Sequence, residues 1–181
     1  MAVICIRIFV SCLFVIRSFM FPTLNLPAVD LRLQNRQGFK NLDDFNSLEV
    51  FDCIRKKYVT LTPEEWVRQH VIHFLISEKK YPKGLIEVEK SIKLFNTEKR
   101  VDILVRKPDL MPLLLVECKA PDIKLKQAEV NQLTRYQITL NAPYCMLTNG
   151  TQHFVIASGN GKTIFLKDLP NYTKINKLPF K

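Results

Sequence analysis

The stretch from Val101 to Lys119 restricts this chain more than any other part of it. Val101-Asp102-Ile103-Leu104-Val105 and Leu113-Leu114-Leu115-Val116-Glu117-Cys118-Lys119 are two β-rich runs, separated by a loop that holds Pro108 and Pro112. Such a pair predicts an antiparallel hairpin. Side chains alternate along a strand, so Leu113, Leu115, Glu117 and Lys119 share one face while Val116 and Cys118 share the other. An apolar face therefore ends in an acid and a base. Charge inside an apolar layer is costly unless it is paired or holds a metal, so these residues require a chemical reason.

The rest of the chain supplies elements to pack around that hairpin. Thr62-Pro63-Glu64-Glu65 predicts a helix start, with Thr62 as N-cap, Pro63 in the first helical position and Glu65 as capping-box partner. That helix runs to Glu78 and turns Val67, Val71, Phe74 and Leu75 toward the core. Leu85–Phe95 alternates as a strand, and Asn96–Lys99 turns into the hairpin. A second helix is expected over Ile123–Leu140, with Leu125, Ala128, Gln132, Tyr136 and Leu140 on its buried stripe. Tyr144–Thr148 and Gln152–Ala157 read as strands joined at Asn149-Gly150, the best type I′ hairpin signal in the chain. Gly159-Asn160-Gly161 turns again, and Thr163–Leu166 adds an edge. Glu49–Thr60 gives only a short strand or turn. The order predicts an α/β fold, a single domain with a mixed β-sheet flanked by helices.

Within the 181 residues we expect that domain over 49–170, an N-terminal arm or loosely packed extension over 21–48 and a basic tail over 171–181. The first twenty residues are an apolar leader cut by Arg7 and Arg17, which leaves the run Ile8–Ile16. A spanning helix needs about 20 apolar residues, and no small-residue cleavage site follows. The leader is therefore expected outside the fold, where an internal start at Met20 would remove it, and no stable membrane association is expected. Five cysteines with no C-x-x-C pair fit reduced thiols in a cytoplasmic protein. The net charge of +10 favours a polyanionic partner, nucleic acid first.

Asp102 stands fifteen residues before Glu117, and Glu117 two before Lys119. A hairpin of that length brings both carboxylates side by side, where a cation relieves their repulsion. Oxygen ligands suit Mg²⁺ or Mn²⁺. Such an ion polarises a phosphate and activates water, and Lys119 can hold or deprotonate that water. Metal-dependent phosphodiester hydrolysis needs this set.

Asp102, Glu117-Cys118-Lys119 and Gln132-Leu133-Thr134-Arg135-Tyr136 resemble the PD-(D/E)xK nuclease superfamily, in the branch with Gln-x-x-x-Tyr on the helix after the acid-x-Lys strand. Thr62–His70, Lys99–Ile103, Leu114–Pro121 and Leu147–Gly150 resemble the N-terminal domain of type I restriction enzyme R subunits, and the likeness spans Val50 to Ala157. This resemblance implies a restriction-endonuclease-like core and a Mg²⁺-dependent deoxyribonuclease. It implies Asp102 and Glu117 as metal ligands, the Cys118 carbonyl as a third, and Lys119 as base or water-positioner. Gln132 and Tyr136 would orient Lys119 or a DNA phosphate, and Glu65 matches the acid that many members supply from the first helix. Val101 replaces the nominal Pro. ATP-driven translocation is not expected of these residues alone.

Each assignment has a plainer counterpart. Asp102, Glu117 and Lys119 could form a surface ion-pair cluster, Glu65 could only cap its helix, and Gln132 and Tyr136 could serve the core. His70 and His73 lack the zincin glutamate between them and read as structural. Gly161-Lys162-Thr163 lacks the glycine and helix of a phosphate loop. Lys79-Lys80, Lys83, Lys124 and Lys126 form a solvated face unless they meet phosphate. Two other functions stay open: an idle nucleic-acid-binding or assembly module on the same fold, and a junction-resolving or repair nuclease. Cutting both strands favours a homodimer, and restriction-system subunits are the other expected partners.

Overall fold

In the computed structural model, residues 21–36, 48–94 and 97–175 are described. The leader lies outside them. Strands β1 (Leu33–Asn35), β2 (Leu48–Asp52) and β3 (Lys57–Thr60) form a small antiparallel sheet. Helix α1 (Pro63–His73) follows, and its last turn widens to π geometry over Phe74–Glu78. Then come β4 (Ile86–Leu94), β5 (Thr97–Arg106) and β6 (Pro112–Cys118), helix α2 (Gln127–Thr139), β7 (Tyr144–Thr148), β8 (His153–Gly159), β9 (Lys162–Leu166) and the short α3 (Tyr172–Ile175).

The six later strands make one sheet in the order β4-β5-β6-β7-β8-β9. Only β6 and β7 are parallel, which requires the crossover that α2 provides. The sheet is mixed and helices flank both faces, as expected. Val67, Val71 and Leu75 of α1 pack with Ile103, Leu114, Val116 and Cys118 on one face. Val130 and Leu133 of α2 pack with Leu104, Leu115, Cys145 and Leu147 on the other. A third cluster seats the small sheet on α1 through Val50, Leu61 and Trp66, and Phe21 stacks on Trp66 with ring centroids 4.9 Å apart.

Helix α1 starts where its sequence says. Thr62 is extended (φ −87°, ψ 164°), and its hydroxyl accepts the Glu65 N–H at 3.0 Å. The reciprocal half of the capping box does not form, because the Glu65 side chain is taken by arginines.

Three expectations are corrected. Helix α2 begins at Gln127 rather than Ile123, and its buried residues are Val130, Leu133 and Gln137. Gln132 is exposed, so the glutamine of the buried stripe is Gln137, whose Oε1 faces Cys145 Sγ at 2.9 Å. At Asn149-Gly150 only the glycine has positive φ (84°). Asn149 Oδ1 instead accepts the N–H groups of Thr151 and Gln152 at 3.0 and 2.8 Å, an Asx-type loop. The type I′ geometry belongs to Asn160-Gly161 (φ 51° and 72°), closed by the Gly159–Lys162 pair. Finally, the described part of the arm is packed rather than loose: Leu24 and Leu26 lie against the main core, and Asn25 N–H donates to Gly150 O at 2.7 Å. The start of the tail is packed too, with Ile175 buried and its carbonyl accepting from Tyr144 Oη at 3.0 Å.

Candidate active site

The β5–β6 ladder ends at Ile103–Val116, and the strands part just beyond it. Asp102 and Glu117 are the next residues on either side, so they occupy the mouth of the fork. There the Asp102 Oδ2 accepts the Cys118 N–H at 2.7 Å, a bond that a backbone carbonyl would otherwise supply. The β4–β5 register is interrupted beside the same residue. It runs through Val88–Ile103 and Lys90–Val101 and omits Glu89 and Asp102 between them. Glu89 has φ 51°, which is rare for a side chain of its size. Glu89, Asp102 and Glu117 thus follow one another across three strands.

Lys119 stands beyond the end of β6. Its N–H donates to Thr148 O at 2.8 Å, and its Nζ donates to Glu117 Oε1 at 2.8 Å. Glu117, Lys119, Glu129, Gln132, Leu133 and Tyr136 line one cleft of about 80 Å³, room for a few ordered waters. Within it Gln132 Nε2 donates to Tyr136 Oη at 2.6 Å. The fold therefore brings Asp102, Glu117 and Lys119 together, and it places Gln132 and Tyr136 opposite the last two.

Glu65 is committed elsewhere. Its carboxylate is buried and accepts from Arg55 Nη2 at 2.5 Å, from Gln69 Nε2 at 2.8 Å and from Arg68 Nη1. The first-helix acid that shares the field of the site is its neighbour Glu64, which is 43% exposed. Burial pushes the Glu64 carboxyl up and the Asp102 charge adds to this, while Arg68 and Lys119 oppose it.

Arg68 is the residue the sequence reading missed. Its guanidinium is buried and meets Asp102 Oδ1 at 2.8 Å, Glu64 Oε1 at 2.9 Å, Glu89 Oε1 at 3.5 Å and Glu65. Burial alone would ease its proton off; the charges of Asp102 and Glu65 outweigh that and drive its pKa further up. The spacing to Glu64 and Glu65, i+4 and i+3 on a helix, was a legible signal. Arg55 was not: it comes from the β2–β3 turn, held by Asp52 at 2.6 Å and reaching Glu89 at 3.0 Å.

Burial raises the Glu117 carboxyl, the Asp102 and Glu64 charges raise it further, and the Lys119 bond pulls the other way without cancelling them. Desolvation draws the Lys119 ammonium down, yet the hydrogen bond and charge of Glu117, with Asp102 and Glu64, leave it raised. The Cys118 thiol is pushed well up by burial and by Asp102, which excludes a thiolate nucleophile. Among the described residues, no three His, Cys, Asp or Glu side chains converge as a metal-holding group. A cation at the fork would thus draw on two carboxylates and main-chain oxygen. Of the histidines, His70 Nδ1 bonds the Trp66 carbonyl one turn back at 2.8 Å, a structural contact. Among the described residues, no helix is long and apolar enough to cross a membrane.

The family model for the type I restriction enzyme R protein N terminus (HSDR_N) matches residues 63–170. No curated protein matches the chain. Among solved structures, a fragment of a proposed HsdR subunit of a type I restriction enzyme from Vibrio vulnificus YJ016 is similar at 19% identity and TM-score 0.49. The match covers 65% of this chain and 25% of that one, so the chain spans about a quarter of that fragment. A proposed nuclease from Anabaena variabilis ATCC 29413 is similar at 13% identity and TM-score 0.44, over 80% of this chain and 93% of that one.

Proposed function

This chain belongs to the family of type I restriction enzyme R protein N termini, and from that premise we propose that it is a Mg²⁺- or Mn²⁺-dependent deoxyribonuclease domain. One observation carries the reading: Asp102 and Glu117 oppose each other where two strands part, with Lys119 Nζ 2.8 Å from Glu117 and a cleft beside them.

The donor chemistry fits a hard divalent ion. Asp102, Glu117 and the Cys118 carbonyl offer oxygen alone, and the Glu117 carboxyl, raised first by burial and then by the Asp102 charge, gains from a cation beside it. Held there, Mg²⁺ or Mn²⁺ supplies Lewis acidity toward a phosphodiester oxygen and toward water. Lys119 does the rest from the side. Its ammonium, bonded to Glu117 at 2.8 Å, is placed to orient an attacking water and to neutralise charge on the phosphate, or to act as base once a neighbouring divalent ion weakens its hold on the proton. Gln132 and Tyr136 face it across the cleft and hold a phosphate or the lysine itself in place. Exposed Lys124 and Lys126 lead into the cleft-lining helix and add attraction for the DNA backbone. Glu65 is not a ligand in this reading; Glu64 is the helix acid that tunes the field. Partners from a restriction system, or a second copy for double-strand cutting, follow from the same premise.

The test is cleavage of linear, single-stranded, supercoiled and branched DNA by the full chain with Mg²⁺, Mn²⁺ or EDTA, beside Lys119→Ala. Metal-dependent cutting that falls at least about a hundredfold in the variant supports the reading. Preference for the branched substrate would make it a junction or repair nuclease. A second reading, an idle DNA-binding module, draws on the double engagement of Asp102 by Arg68 and Cys118. No cutting of any substrate, together with no Mn²⁺ binding, would establish it instead.

A further inference from the structure

Asp102 is flanked by more fixed charge than a metal ligand needs. Arg68 meets four carboxylates at once, from Glu64, Glu65, Glu89 and Asp102. Its side chain is 5% exposed, and among the described residues its Nε has no hydrogen-bond acceptor. Lys119 differs: its side chain is 28% exposed, and among the described residues its ammonium pairs with Glu117 alone. One cation at Asp102 is therefore built in, and the cation at Glu117 is removable.

We propose that Arg68 fills the place of a second metal ion, so that the centre takes a single divalent cation per chain, between Asp102 and Glu117. The inference rests on the metal-nuclease reading above and fixes its stoichiometry. Two ions sharing one aspartate need one oxygen each. Here Oδ1 faces the Arg68 guanidinium at 2.8 Å and Oδ2 faces the Cys118 N–H at 2.7 Å, so each oxygen is already partly engaged and the carboxylate has too little capacity left for two ions. A second divalent ion would have to lie against the buried guanidinium, and like charges at that distance repel strongly in a poorly solvated site. The charge balance agrees. Asp52, Glu64, Glu65, Glu89, Asp102 and Glu117 are paired with Arg55, Arg68, Arg100 and Lys119. Six carboxylates against four bases leave a surplus of two negative charges, the charge of one such ion. Arg68 acts through Asp102, so it is a positioning residue and not a catalytic one.

The experiment is a Mn²⁺ titration of the full, DNA-free chain, with free Mn²⁺ followed by electron paramagnetic resonance and bound ions counted per chain. Wild type binds one ion, and Glu117→Gln loses it. Arg68→Gln, checked for folding by circular dichroism, binds a second ion among the carboxylates it uncovers, and Arg68→Lys returns the count to one. Two ions on wild type overturn the proposal. So does a folded Arg68→Gln that still binds one. If Arg68→Gln does not fold, the wild-type and Arg68→Lys counts decide alone. No ion on wild type at any concentration sinks the metal-nuclease reading itself, a different failure from a count of two.

Discussion

Asp102 Oδ2 and the Cys118 N–H are bonded at 2.7 Å, one residue past the last registered pair on β5 and two past it on β6. A side chain thus replaces a rung of the sheet. Asp102→Ala orphans a buried N–H and frees Arg68, and we expect it to lose about 1–3 kcal/mol of stability or more, while Asp102→Asn keeps an acceptor and loses less. Urea denaturation of both variants measures the difference; equal losses would show that the rung contributes nothing.

The adjacent acids of α1 should separate cleanly. Glu65 is buried among Arg55, Arg68 and Gln69, so Glu65→Ala removes its bonds to all three, while Arg55 keeps Asp52 and Glu89 and Arg68 keeps Glu64 and Asp102, and it costs about 1–3 kcal/mol. Glu64, much more exposed, contributes no more than about 1 kcal/mol through its Arg68 pair. Thermal and urea unfolding of Glu64→Gln and Glu65→Ala would contradict this if the first were the more damaging.

Metal binding should be acid-sensitive at an unusual pH. In the proposed metal site Glu117 would bind an ion only when ionised, and its carboxyl is raised above the ordinary 4.5 by burial, Asp102 and Glu64. Mn²⁺ affinity therefore falls with acidification at a midpoint above that value, and Glu64→Gln moves the midpoint down. In metal-free protein the same shift has the opposite sign. The folded state keeps the Glu117 proton longer than the unfolded chain, so this group's contribution to stability is full below 4.5 and is lost as pH rises through the raised value. A Mn²⁺ titration across pH tests the first statement and chelated-protein melting the second.

Two glycines should respond differently to alanine. At Gly150 (φ 84°) an added Cβ would sit 2.6 Å from Leu24 Cδ2 and 3.2 Å from Val67 Cγ2. At Gly161 (φ 72°) nothing lies within 4 Å. Gly161→Ala then costs only the left-handed backbone, about 1–2 kcal/mol, and Gly150→Ala adds overpacking of about 1–3 kcal/mol. Adding Leu24→Ala to the second should recover part of its loss; additive effects would place the clash elsewhere.

The sequence made the fork legible because the period of a strand is two: once β5 and β6 are recognised, Asp102, Glu117 and Lys119 have nowhere else to go. Helices were harder. Counting from Leu125, which lies ahead of the helix proper, put the buried stripe of α2 out of phase and exchanged Gln137 for Gln132. Glu64 and Glu65 are neighbours that a helix turns about a quarter-circle apart, and motif matching chose the one that faces the arginines. Asn-Gly occurs twice, and the loop at 149–150 goes to Asn149's own side chain, which satisfies the turn without positive φ at Asn149. What no pattern could supply was Arg55, brought to Glu65 and Glu89 by the small sheet, and with it the reason Glu65 is unavailable.

The rung made by Asp102 also bears on how such a site would decay. Asp102 serves the architecture whether or not any DNA is cut, because the Cys118 N–H needs its acceptor. Among the described residues the Lys119 side chain bonds only Glu117; the bond that ties residue 119 to Thr148 is main-chain, and any residue but proline could make it. If the chain has the nuclease activity proposed for it, a descendant that lost that activity would be held to the aspartate by folding and released from the lysine at once. In this lineage, position 119 is where a retired nuclease would first show itself.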